Sequence, residues 1–460
     1  MISRNQSELL DLITKYNVSG PRYTSYPTAL QFTDNFNPDI LTSKLLCGKQ
    51  SASSFSLYIH IPFCQSLCWY CGCTKVITKN LADADKYLDY LEKEIKLIAP
   101  VTHPDSTIKQ IHFGGGTPTF LSPDQIYRIG NIIKRHFKLH PDVEFSVEID
   151  PRRVEEAHIN ALNEIGCNRA SLGIQDTNEE VQKAIHRIQP IDQTLRVTQR
   201  LRNAGIKNIN FDLIYGLPKQ TLSTFKKTLE NVLTMGPDRL AIYSYAHIPS
   251  LIPSQRLIHE EDFPSTRDKL SILLYAIDTL PHSGFDFIGL DHFAKREDEL
   301  SKSLNNGTLQ RNFQGYSTHA DLDMIGLGMS AISQSDKIYI QNIKGLPEYY
   351  AALDSGKLPV QKFINLTEDD RIRKKIIMQI MCNTELKYDL FSEMVGIPFQ
   401  HAFKNELDQL SDFESDGLIK KSEAGFYITK IGRLFLRNIA MVFDAYLTEN
   451  KHTNAYSNTV

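Results

Sequence analysis

No stretch of this 460-residue sequence approaches the roughly 18 consecutive apolar residues that cross a bilayer. The N-terminal residues MISRNQSELLDLITKYN carry acidic groups in an amphipathic rhythm and lack the apolar core of a secretory signal. Neither charge sign is in excess: 51 Lys and Arg stand against 54 Asp and Glu, a net charge of −3. There is thus no global attraction to nucleic acid or to an anionic membrane. Repeats and low-complexity segments are also missing. The expectation is a cytoplasmic protein with no membrane or nucleic-acid partner, long enough to hold more than one domain.

Cysteine is present but unevenly placed. Of seven, Cys64, Cys68, Cys71 and Cys73 fall within ten residues, while Cys47, Cys167 and Cys382 are scattered. A cytoplasmic chain keeps its thiols reduced, so the tight group points to metal or redox chemistry rather than disulfides. The scattered three read as plain buried cysteines.

From about residue 55 to 245, six β-type runs alternate with helical segments: 57–62, 108–113, 144–149, 169–174, 208–216 and 239–246. Nearly continuous apolar runs suit strands of a parallel sheet covered on both faces. The expected fold is α/β, an incomplete (β/α)6 barrel, with a flat doubly wound sheet as the competing architecture. Residues 1–54 are expected to form a helix and an irregular substrate-covering arm, 55–364 the catalytic domain, and 365–460 a mostly helical, winged-helix-like domain. The last carries no basic stripe, so a structural or lid role is favoured over DNA binding.

The loop after the first run, HIPFCQSLCWYCGC, contains C-x3-C-x2-C followed by Cys73. Soft thiolates at this spacing suit an iron–sulfur cluster or zinc. Structural zinc usually takes two knuckles separated by a spacer, and here all four cysteines crowd together. Three ligands on a [4Fe–4S] cluster leave one iron open to a small molecule with an amine and a carboxylate. The loop resembles the signature of the radical S-adenosylmethionine superfamily, which implies Cys64, Cys68 and Cys71 as metal ligands and Cys73 as a non-ligand. After the second run, the glycines of FGGGTPT allow backbone to approach a ligand closely. Glu148, Gln175 and Asp212 place polar groups near the carboxyl ends of three further runs, as a buried site there requires. Arg187 offers a planar fork to a carboxylate; an exposed helix end is its plain alternative.

SGPRYTSYPTA, YIHIPFCQSLCWYCGC, FGGGTPT, NFDLIYGLPKQT and GLDHFA…RNFQGYSTHADLDMIGLGMSAIS, together with GRLFLRNIAMVFD, are similar to the oxygen-independent coproporphyrinogen III oxidases. That resemblance implies oxidative decarboxylation of two propionates of coproporphyrinogen III to vinyls, giving protoporphyrinogen IX. It implies a [4Fe–4S] cluster, two molecules of S-adenosylmethionine, an electron donor and a terminal electron acceptor; nothing in the sequence requires more than a monomer. It further implies that Tyr58, Gly115, Glu148 and Ile332 contact the cluster-bound S-adenosylmethionine. Tyr70, Gly116, Thr117, Gln175, Arg187, Asp212 and Ala246 match positions near the second molecule, and Phe313 and Gln314 match residues approaching the cofactors. Arg22 is a candidate propionate contact on charge complementarity. A haem-chaperone branch of the same family is the runner-up; it generally lacks the PRYTSYPT arm and has an aromatic in place of Cys73. A zinc-stabilised regulator built on the winged-helix-like tail is a third reading.

Overall fold

A computed structural model describes residues 6–34, 53–319, 322–449 and 456–459. Cys47 lies outside the described residues. The chain divides into two compact units, one of residues 32–268 with 321–365, the other of residues 1–31, 269–320 and 366–460.

The first unit rests on the six runs read from the sequence. They are strands β1 (Ser54–Ile61), β2 (Thr107–Gly115), β3 (Lys138–Ile149), β4 (Arg169–Gln175), β5 (Asn208–Tyr215) and β6 (Arg239–Ser244). All five neighbouring pairs are parallel and follow chain order. Leu57, Ile59, Phe113, Val147, Leu172, Phe211 and Ile242 are fully or almost fully buried along them, and these apolar positions are what made the runs readable. Helices such as Ala82–Ile98, Pro123–His136 and Leu222–Thr234 return the chain between strands. Their starts are encoded locally: Ser122 and Thr221 each form a reciprocal capping box with the residue three positions on.

The sheet is open, and it does not end with six strands. The outer edge of β1 pairs in parallel with β7 (Asp323–Leu327). Antiparallel β8 (Ile332–Gln334), β9 (Ile338–Asn342) and β10 (Val360–Asn365) extend it further. A buried carboxylate ties this extension to helix Ala82–Ile98. Glu94 accepts from Gly328 N at 2.8 Å, Tyr349 OH at 2.6 Å and Asn342 Nδ2 at 2.6 Å. Burial pushes its carboxyl up to about 7 despite those donors.

In the second unit, helix Gln6–Tyr16 lays Leu9, Leu12 and Ile13 into a core shared with Ile376, Ile380, Phe435 and Phe443. In keeping with a winged-helix-like piece, a hairpin of Ile419–Ser422 and Gly425–Ile428 is joined by a third strand, Glu385–Lys387, among helices. The boundary expected at 55–364 needs correction. Leu270, Ile288, Leu300, Leu309 and Tyr316 pack in the same core as the C-terminal helices, so residues 269–320 belong with this unit and the first unit is interrupted.

Candidate active site

The cysteine loop leaves β1 and is closed by short backbone bonds, Val76 N to Pro62 O at 2.8 Å and Thr78 N to Cys64 O at 3.0 Å. Cys71 N donates to Cys68 O at 3.2 Å, forming the turn that brings these thiols together. Lys75 Nζ donates to the carbonyls of Cys71 (2.9 Å) and Cys73 (3.3 Å). Trp69 stacks on His186 with centroids 5.2 Å apart. Gln255, almost fully buried, donates its amide N–H groups to Tyr70 O (3.1 Å) and Ala246 O (3.0 Å). It therefore ties the cysteine loop to the chain beyond β6, and nothing in its sequence context marked it.

A cleft of about 290 Å³ opens at the carboxyl ends of β1–β5, where β/α folds gather catalytic groups. Cys64, Cys68, Cys71 and Cys73 line it, as do Tyr70, Gly115, Gly116 and Thr117. So do Glu148, Gln175, Arg187 and Asp212, from three different strands and a helix end. Tyr58, Ile332 and Ala246 do not line it. Tyr58 stacks on His112 at 5.8 Å and lies one strand from β7, whose Gly326 is opposite Tyr58 and closely abuts the Ile332 carbonyl. Arg22, Phe313 and Gln314 belong to the other unit. There Arg22 is paired with Asp291, so its charge is already met within the fold.

Gly116 has no room for a side chain: a Cβ would overlap the Pro62 carbonyl. Gly115 adopts φ +116°, open to glycine alone at little cost, and donates its N–H to Glu148 Oε2 at 3.1 Å. Burial would raise the Glu148 carboxyl, but His112 Nε2 at 3.2 Å and the Gly115 amide hold it below the usual range. His112 is in turn fixed by Ser146 Oγ at 2.6 Å. Asp212 accepts from Ser171 Oγ and Asn210 Nδ2, both at 2.8 Å, and burial still lifts it to about 6.

Sequence reasoning missed Asp150 and Arg152. Asp150 takes Arg152 Nη2 at 2.6 Å and both Arg187 nitrogens at 3.3 Å, and the two guanidiniums overcome burial to hold it at about 2. Arg152 and Arg187 also stand 3.4 and 3.6 Å from Cys68 Sγ. Arg187, only 6% exposed, is thus no solvated helix end.

The donor set fits an anionic cluster and an amino-acid ligand. Three thiols and two guanidiniums share one wall, while Gln175 Oε1 and Arg187 Nε are buried in the cleft without a protein partner. Among the described residues, no group of three or more Cys, His, Asp or Glu side chains converges on a point that would hold a single metal ion. Thiolates that each hold a different iron of a cubane need no such point. Burial pushes the Cys64 thiol up to about 11. Cys71 goes the other way, to about 6, chiefly because Cys73 donates a hydrogen bond to it, with Lys75 nearby. Cys73 is therefore expected to act as a donor to Cys71 and not as a ligand. Replacing Cys73 with Ser, which keeps a donor, is expected to leave the iron content of the purified protein unchanged. Loss of iron would make it a ligand.

A parallel β/α sheet with C-x3-C-x2-C at the end of its first strand defines a radical S-adenosylmethionine protein, and residues 58–232 match the Radical SAM superfamily. Residues 366–435 match the family described as HemN C-terminal domain. The chain is 43% identical over 451 residues to the oxygen-independent coproporphyrinogen III oxidase of Salmonella typhimurium, covering 98% of each chain. It is 44% identical to the Helicobacter pylori enzyme of that name, over 94% of this chain and 96% of that one. The solved structure of coproporphyrinogen III oxidase from Escherichia coli, described as a radical SAM enzyme, aligns with a TM-score of 0.91 at 41% identity, covering 95% of this chain and 98% of that one. The chain belongs to the oxygen-independent coproporphyrinogen III oxidase family.

Proposed function

We propose that this chain converts two propionates of coproporphyrinogen III to vinyls, giving protoporphyrinogen IX in haem biosynthesis. The carrying observation is that the cysteine motif, the glycine strand end and carboxylates from two further strands line one cleft, in a chain matched over nearly its whole length by relatives named for that activity. Cys64, Cys68 and Cys71 would hold a [4Fe–4S] cluster. When bound, the cluster and S-adenosylmethionine supply a 5′-deoxyadenosyl radical able to take hydrogen from an unactivated carbon, an oxidant no side chain can provide.

The remaining work falls to the protein. Glu148, kept ionised by His112 and Gly115, is suited to hold an ammonium group of the first S-adenosylmethionine beside Gly115, with Tyr58 and Ile332 behind that wall. Gln175 Oε1 and Arg187 Nε are a buried acceptor and donor still to be met. With Tyr70, Gly116, Thr117 and Asp212 in the same cleft, they suit a second molecule, while Ala246 reaches the Tyr70 carbonyl through Gln255. An electron donor and a terminal acceptor complete the reaction, since each vinyl formed releases carbon dioxide and an electron. The same reading has the chain acting as a cytoplasmic monomer, where reduced thiols are the norm; no helix among the described residues is long and apolar enough to cross a membrane.

Reduced enzyme supplied anaerobically with S-adenosylmethionine and coproporphyrinogen III is expected to release 5′-deoxyadenosine and a product lacking two carboxyl groups. Formation of 5′-deoxyadenosine with no decarboxylated porphyrin would leave the radical chemistry and remove the substrate.

A further inference from the structure

The three thiols of the C-x3-C-x2-C motif have different neighbours. Thr117 Oγ1 stands 3.3 Å from Cys64 Sγ, and Cys71 has Cys73 beside it. Cys68 faces two guanidiniums, with Arg152 Nη2 at 3.4 Å and Arg187 Nη1 at 3.6 Å. Arg152 is fixed for this contact by its own turn. Its backbone N–H donates to Asp150 Oδ1 at 3.1 Å, and its carbonyl accepts from Gln193 Nε2 at 3.0 Å. Its Nε then meets Asp150 Oδ1 at 2.9 Å and its Nη2 meets Oδ2 at 2.6 Å. One Nη2 hydrogen goes to the carboxylate, and the other is left for the sulfur.

Charge on this wall does not balance. Among the described residues, Asp150 is the one carboxylate within salt-bridge reach of either guanidinium. It already takes both terminal nitrogens of Arg187 at 3.3 Å, so it needs no second cation. Two largely buried guanidiniums against one carboxylate leave a surplus of positive charge, which is costly unless an anion meets it. The anion within reach is the Cys68 sulfur in its thiolate form. Arg187 also turns its Nε to the cleft without a protein partner, whereas Arg152 spends Nε and Nη2 on Asp150 and Cys68 alone.

We infer that Arg152 is a positioning residue for the reductive step: by donating Nη2–H to the Cys68 sulfur it raises the reduction potential of the cluster that Cys64, Cys68 and Cys71 would hold. This rests on the cluster reading above and not on the choice of substrate. In that step one electron enters from an external low-potential one-electron donor, no proton moves and no bond breaks. Reduction makes the thiolate-bound cluster more negative by one charge. A hydrogen bond and surplus positive charge at a ligand sulfur favour the more negative state. Asp150 tempers the effect, because it offsets one of the two guanidiniums.

The test is a potentiometric titration of the full-length, anaerobically purified, cluster-loaded protein with dithionite, in the absence of S-adenosylmethionine. The reduced cluster is followed by electron paramagnetic resonance, which reads only molecules that carry it. Arg152→Met is expected to make reduction about tenfold less favourable, the loss of one charge-assisted hydrogen bond and a downward shift of about 59 mV for one electron. Arg152→Lys, which keeps the charge without the fork, should fall between. Asp150→Asn removes the offsetting charge and should move the potential upward. A loop that had merely loosened would move the Arg152→Met and Asp150→Asn potentials in the same direction, and that result overturns the inference. So does an Arg152→Met potential equal to that of wild type. Failure of both Arg152 variants to take up iron overturns it as well, since Arg152 would then build the cluster site rather than set its potential. Wild-type protein with no reducible cluster would instead overturn the cluster reading itself.

Discussion

Replacing Cys64, Cys68 or Cys71 by Ala is expected to abolish the cluster and reduce activity to background, each substitution alone being sufficient. Three thiolates are the fewest that hold a cubane with one iron open, so there is no spare ligand to absorb the loss. Cys73 lines the same cleft and is expected not to take over as a ligand. The fold should survive. Removing the Cys64 thiol gives up one contact to Thr117 Oγ1 at 3.3 Å, a loss of about 1 kcal/mol. The loop closure at Pro62, Val76, Cys64 and Thr78 is entirely backbone. Iron and acid-labile sulfide analysis of each variant, beside its circular dichroism, separates the two effects. A folded variant with full iron content would remove that cysteine from the ligand set.

The six parallel strands were legible because burial on both faces writes itself as runs rich in apolar residues, as Leu57–Ile61, broken only by His60, shows. The extension β7–β10 was not. β8 is three residues long and β9 buries polar Gln341 and Asn342, so neither produces an apolar run or a clean alternation. Glu148, Gln175 and Asp212 could be found because each interrupts an apolar strand with a polar group. Asp150 and Arg152 follow a strand end, where charged residues are ordinary. Their importance comes from Arg187 closing on them from 37 and 35 positions along the chain. No local pattern announces a pairing of that kind. The placement of residues 269–320 was hidden for the same reason: helix Thr266–His282 and the strands after it fall inside the expected 55–364 domain, whereas their apolar side chains meet those of Ile376 and Phe435.

Asp150→Asn is expected to cost about 3–5 kcal/mol of folding stability near neutral pH, the usual cost of stranding buried charge. The Arg152 and Arg187 side chains are 13% and 7% exposed, and both lean on this one carboxylate. Asparagine keeps the shape and an acceptor but leaves two like charges facing each other beside Cys68. Part of the loss should be recovered in the cluster-loaded protein, because a Cys68 thiolate 3.4 Å from Arg152 and 3.6 Å from Arg187 supplies negative charge of its own. The effect carries a pH signature. Asp150 is held at about 2 in the folded chain, below its ordinary 3.8, so its contribution is complete above pH 4 and is lost as pH falls from about 4 toward 2. Urea unfolding midpoints of wild type and variant should therefore differ by a constant amount from pH 8 to 5, and the stability difference should narrow by about 2 kcal/mol as pH falls from about 4 toward 2. A gap that stayed constant into the acid range would show that the lost stability comes from packing and not from charge. If the gap narrows as expected, Asp150 is the counter-charge that lets two arginines stand against the cluster wall without an occupant.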